Sequence, residues 1–197
     1  MPRVFNFLFA VEDQRDWQKL PNCFRNPFSC FICHLFNVFE IKEILDLNYG
    51  VGGFYEKCPS SARVTGVDVE KWPWLVKPTE FILSDMNTAL KAIRHRYDAV
   101  VLDPPFNTKP SSALGNRKAY LYHGNVKFTE ILHAINTVKQ RNMAKYIILK
   151  YMPKDNTEEI ELLKIAKYRI MWRFIRYTIP AHSGNKIIRN YTQIFII

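Results

Sequence analysis

Two consecutive prolines, Pro104 and Pro105, constrain this chain more than any other pair of neighbours in it. The run Val100-Val101-Leu102 ahead of them is apolar and mostly β-branched, the composition of a strand buried on both faces. Neither proline can donate to a ladder, so the strand stops there. Asp103 is therefore expected at the carboxyl end of a buried strand, on a backbone that the two rings hold rigid. In open α/β sheets that edge is where ligands bind.

Glycine supplies the second constraint. The chain has 7 glycines, and Gly50, Gly52 and Gly53 fall within four positions, shortly after the stretch Glu43 to Leu47, which reads as the first strand with Ile44, Leu45 and Leu47 apolar. Such a concentration predicts a strand-to-helix turn passing close to a ligand, where a Cβ would obstruct; an ordinary turn is the plainer reading. A short first helix is expected from Phe54 to about Ser60, and a second strand from Val64 to Val69. Asp68 lies near the end of that strand, about twenty residues beyond the glycines, where a carboxylate can accept from both hydroxyls of a ribose. Glu70 is the second candidate, and a solvated strand-end carboxylate is the alternative reading. Trp72, Pro73, Trp74 and Pro78 form a stiff connection read as packing. Phe81 to Leu83 is a third strand, Asp85 follows it, and Asn87 is the expected N-cap of a helix running to about Arg96.

Beyond the prolines, Phe128, Ile131, Leu132, Ile135 and Val138 mark one face of a helix within residues 126–143. Tyr146 to Leu149 reads as the fifth strand, and Asn156 as the cap of a helix reaching about Lys167. The runs Ile170 to Ile179 and Tyr191 to Ile197, with Gly184 and Asn185 between them, predict an antiparallel hairpin. At the other end, residues 1–28 read as an extended arm carrying Trp17, Phe24 and Phe28, and Ser29 as the N-cap of a helix from Cys30 to about Glu40. The whole chain reads as one domain.

Asp103-Pro104-Pro105-Phe106 resembles the D-P-P-F/Y motif of the amino methyltransferases, enzymes that use S-adenosylmethionine (SAM) to methylate exocyclic nitrogens of nucleobases. The spacing Asp46-x-x-x-Gly50-x-Gly52 upstream resembles the SAM-binding signature of the same family, with Asn48 standing where an aromatic residue is frequent. The resemblance covers most of the chain. It implies an α/β, Rossmann-like class I SAM-dependent methyltransferase fold, a mostly parallel seven-stranded sheet ending in an antiparallel hairpin. It implies SAM as cofactor, held by Asp46, Asn48, Gly50, Gly52, Asp68, Asp85 and Met86, with Arg25, Asn26 and Pro27 placed near its methionine end. Asp103 and the Pro104 carbonyl would accept the two N–H bonds of the amino group, Pro105 would fix them, and Phe106 would stack on the flipped base. Adenine N6 in DNA is the expected target. An RNA amino group, cytosine N4, and a non-catalytic nucleic-acid-binding subunit are the alternatives; a protein glutamine is disfavoured, since that family has Asn where Asp103 stands.

Charge points to the same class of partner. Residues 1–103 carry 12 Lys/Arg against 13 Asp/Glu, and residues 104–197 carry 16 against 5, so the net charge of +10 lies wholly in the second half. A polyanion on that side is the natural reading, with a solubility surface as the alternative. Residues 107–125 lack periodicity and mix Lys109, Arg117 and Lys118 with Tyr120 and Tyr122, a combination suited to phosphates and unpaired bases, or else a disordered insert. DNA is favoured over RNA, with a protein partner for target recognition. Cys30-Phe31-Ile32-Cys33-His34 matches the haem-attachment pattern, which needs an exported chain, and Cys23, Cys30, Cys33 and His34 are too irregularly spaced for a zinc set. Cys23, Cys30, Cys33 and Cys58 read as free thiols packing as small hydrophobes, and no metal site is expected. No apolar run is long enough for a membrane span, and the chain reads as cytoplasmic.

Overall fold

The computed structural model describes residues 3–11, 27–58, 61–104, 126–178 and 186–197. Eight strands form one sheet: β1 (Arg3–Val11), β2 (Glu43–Asp46), β3 (Arg63–Asp68), β4 (Glu80–Leu83), β5 (Tyr97–Leu102), β6 (Ala144–Lys150), β7 (Tyr168–Thr178) and β8 (Lys186–Ile196). Four α-helices accompany them among the described residues: α1 (Pro27–Val38), α2 (Met86–Ala92), α3 (Phe128–Gln140) and α4 (Asn156–Ile165). The strand order is β1-β7-β8-β6-β5-β2-β3-β4. Only β8 runs antiparallel to its neighbours, β6 and β7.

The expected seven-stranded sheet with its terminal hairpin is present as β2 to β8. The N-terminal segment departs from expectation. Instead of an arm, Arg3–Val11 is an eighth strand, parallel to β7 in register from Arg3 opposite Tyr168 to Val11 opposite Arg176. Its β-branched and aromatic composition suits a strand, and β7 without it would leave an open row of backbone donors and acceptors.

Alternation along the central strands divides the core in two. Val100 and Leu102 of β5 face α2, α3 and α4, packing with Leu90, Ile131, Ile135 and Leu162. Ala99 and Val101 face the opposite side, packing with Ile32, Leu35 and Phe36 of α1. Burial on both faces explains the continuous apolar runs that betrayed these strands. The arginine at the end of α3, Arg141, donates to the carbonyls of Leu90 and Ile93 and so satisfies the open end of α2.

Two caps differ from expectation by one or two positions. Asp85, not Asn87, caps α2, its Oδ1 accepting from the amides of Asn87 and Thr88. Asp155, not Asn156, caps α4 in the same way. In each case the aspartate one or two positions earlier has the extended backbone of a cap, and its charge complements the positive end of the helix. The first helix shrinks to a single 3-10 turn, Gly53–Tyr55.

Candidate active site at the carboxyl edge of the sheet

Parallel alignment brings the ends of β3, β2, β5 and β6 to one level. Asp46 pairs with Gly66 on one side and Val101 on the other, and Leu102 pairs with Leu149. Asp68, Asp46 and Asp103 thus stand at adjacent strand ends, with Lys150 closing the row. Asp46 is 2% exposed. Its Oδ1 accepts from the Asn48 amide at 2.9 Å and its Oδ2 from the Tyr55 hydroxyl at 2.7 Å. Burial pushes its carboxyl up to about 7, opposed by those two hydrogen bonds and reinforced by the charges of Asp103 and Asp68. Burial likewise raises Asp103, and the Lys150 ammonium, 2.9 Å from Oδ2, opposes it.

The glycine turn is built differently from the expectation. Tyr49 hydrogen-bonds through its amide to the Val67 carbonyl and through its hydroxyl to that of Val76. A Cβ on Gly52 would lie 2.5 Å from the Val76 carbonyl oxygen and 2.6 Å from the Tyr49 hydroxyl, and one on Gly66 would lie 2.7 Å from the Tyr49 ring. Gly52 also has φ +78°, a left-handed conformation. Glycine is therefore required at this position by the left-handed backbone and by the chain's own packing around Tyr49. Gly50, at φ 56°, donates its amide to Asp68 Oδ2 at 2.9 Å, and Trp72 approaches Asp68 Oδ1 at 3.4 Å. The carboxylate expected to grip a ribose thus also fixes the turn.

Helix α1 braces this turn from behind. Ser29, expected as a cap, is buried inside the helix; its hydroxyl donates to the Phe54 carbonyl and accepts from the Lys57 amide. Cys33 and Cys58 form a disulfide between helix and turn, which corrects the reading of free thiols: their proximity is created by the fold, across 25 positions of sequence.

Of the remaining candidates, Asp85 is exposed, with its carboxyl held low by the Thr88 hydroxyl and amide, and Met86 is buried in the core beneath the strand ends. Asn48 Oδ1 and Asn87 Oδ1 are buried without a hydrogen-bond partner among the described residues. Pro104 is buried and Pro27 opens α1, whereas Pro105, Phe106, Arg25, Asn26, Lys109, Arg117, Lys118, Tyr120 and Tyr122 lie outside the described residues. Sequence reasoning missed Lys150 and Tyr55. Lys150 carried a readable signal, since it ends the apolar run of β6 at the edge where Asp103 ends β5; Tyr55 carried none.

No protein-family model matches the chain, and no curated protein matches it in sequence. Solved structures do match in three dimensions. A SAM-dependent methyltransferase from Agrobacterium tumefaciens superposes with a TM-score of 0.54 at 12% identity, over 84% of this chain and 59% of that one. A Pyrococcus horikoshii protein assigned as an RNA methyltransferase gives 0.50 at 14% identity, over 96% and 92%. The fold is that of the class I SAM-dependent methyltransferases. It does not fix the chemistry, because a precorrin decarboxylase from Methanobacterium thermoautotrophicum matches with a TM-score of 0.50 at 15% identity, over 84% and 87%.

Proposed function

We propose that this protein is a SAM-dependent methyltransferase acting on an exocyclic amino group of a nucleobase. The observation that carries the reading is the position of Asp103, one residue past the central strand β5, followed by the buried Pro104 and two residues beyond Val101, which pairs with Asp46 on β2. The residues present fit the cofactor. Three neighbouring carboxylates, with Asp46 pushed up to about 7, favour the arrival of a cation such as a sulfonium or an ammonium. The orphaned oxygens of Asn48 and Asn87 are acceptors for a ligand's N–H or O–H groups. Asn48 and the turn that Asp46 orients would hold the methionine end, Asp68 the ribose, and Asp85 and Asn87 the adenine side. Bound SAM supplies the activated methyl group.

The chain's own part is alignment and charge. An aromatic amino group is a weak nucleophile because its lone pair is delocalised into the ring. Two acceptors, the Asp103 carboxylate and the Pro104 carbonyl, favour the pyramidal nitrogen of the transition state over the planar ground state. Asp103 need not be a strong base, since the proton becomes acidic once the nitrogen is methylated. Phe106 would stack on the base, and Lys109, Arg117, Lys118, Tyr120 and Tyr122 would grip the strand.

Adenine N6 in DNA is the proposed target. An RNA amino group is the second reading, favoured by the match to the P. horikoshii protein over nearly the whole of both chains. The test is transfer of labelled methyl from SAM to duplex DNA, single-stranded DNA, ribosomal RNA and transfer RNA, followed by nucleoside mass spectrometry. N6-methyladenine from DNA is the expected product. A methylated RNA base keeps the mechanism and changes the substrate. Absence of SAM binding overturns the enzyme reading in favour of a non-catalytic subunit.

A further inference from the structure

Lys150 is the one cation that the described residues place at the row of strand-end carboxylates. Its Nζ lies 2.9 Å from Asp103 Oδ2, and the two side chains are 22% and 23% exposed, a largely dry setting in which the pair is weakly screened. The Lys150 ammonium also lies 4.9 Å from the centroid of the Phe54 ring, in the turn that carries Tyr55. The lysine is thus fixed from two sides, by a carboxylate on β5 and an aromatic face on the glycine turn. The charged and titratable groups facing Asp103 among the described residues are Lys150 from β6, Asp46 from β2 and Tyr55 from the turn. Burial disfavours a charge on Asp103, and the Lys150 ammonium favours it.

Resting on the function proposed above, we infer that Lys150 is a positioning residue: it holds Asp103 Oδ2 and keeps the carboxylate charged, so that Oδ1 is the acceptor turned to the substrate's amino group. Removing it would leave Asp103 buried beside a second carboxyl, and the proton would return to Asp103. A protonated Asp103 offers a donor where the amino group needs an acceptor.

The experiment compares the unaltered chain with Lys150→Met, which keeps the stem and loses the charge, and Lys150→Arg, which keeps the charge. The Asp103 carboxyl is titrated by carbon NMR on aspartate-labelled protein, with Asp103→Asn assigning the resonance. The expected result is an Asp103 midpoint at higher pH in Lys150→Met and near its original position in Lys150→Arg. The acid limb of the methyl-transfer profile should move with it, and kcat at neutral pH should fall by up to about 100-fold while KM for SAM holds. An unmoved midpoint in a folded Lys150→Met overturns the inference, as does a moved midpoint with an unchanged rate profile. A chain that binds SAM, shows the midpoint shift and methylates no nucleic acid overturns the proposed substrate class and leaves the electrostatic role of Lys150 standing.

Discussion

Strand β5 carries an aspartate near each end, and the two are held in opposite ways. Asp98, near its start, accepts from the amides of Lys42 and Glu43, each at 2.9 Å. Burial works against its charge, but those amides and the nearby lysines 145 and 42 outweigh it, and the carboxyl sits below its ordinary range. Asp103, just past the other end, has Lys150 as its hydrogen-bond donor among the described residues, and burial wins. A carboxylate saturated with backbone amides is a structural tie. One held by a single side chain in a dry crevice keeps acceptor capacity for something else.

That contrast is open to direct attack, and the heaviest blow falls on Asp103. Replacing it with Ala should cost methyl transfer about 10²- to 10³-fold, the scale of a lost transition-state hydrogen bond, with SAM affinity kept. Full transfer by Asp103→Ala would place the two ends of β5 on an equal, structural footing.

Asp46 sharpens the comparison through pH. The unfolded chain loses this proton near 3.8 and the folded chain at about 7. Between those values only the folded state holds the proton, so its contribution to stability falls as pH rises and levels off above about 7. Asp46→Asn should abolish that fall and leave the chain more stable than the original at pH 8, by a few kcal/mol on the order-of-magnitude scale of about 1.4 kcal/mol per pKa unit. Thermal melts from pH 4 to 8 measure it; a variant less stable at pH 8 would contradict it.

Asp98 should respond with the opposite sign. Its depressed carboxyl adds stability above the ordinary aspartate range, and that stability is lost as pH falls through the folded value. Asp98→Ala should cost about 1 kcal/mol at pH 7, read as a lowered melting temperature, with catalysis unchanged. The smallest signal is calorimetric. Binding of SAM near pH 6.5 should expel a fraction of a proton from Asp46, seen as a binding heat that depends on the buffer's ionisation enthalpy. Equal heats in all buffers would mean that Asp46 does not sense the ligand.

Much of this architecture could be read along the chain. Val100 to Leu102, Tyr146 to Leu149 and Ile44 with Leu45 announced themselves because strands buried on both faces are apolar in continuous runs. Asp103 was legible because two prolines leave the preceding residue few conformations. Ser29 and the Cys33–Cys58 pair were misread for a common reason: the partners Phe54, Lys57 and Cys58 lie 25 to 28 positions away, and no local pattern encodes such a pairing. Asp85 and Asp155 were passed over as caps in favour of nearby asparagines, where residue preferences alone barely discriminate.

The sequence by itself determined the strand ends, the glycine turn and the lone carboxylate before the prolines, because backbone geometry and hydrophobic periodicity act over a few residues. Tertiary structure alone decided which charges meet. Lys150 reaches Asp103 only because β6 lies beside β5, and the space beside Gly52 is closed to a side chain because Tyr49 folds back onto it and reaches the Val76 carbonyl. Electrostatics and close packing act through space, between groups the chain holds far apart until the sheet has formed.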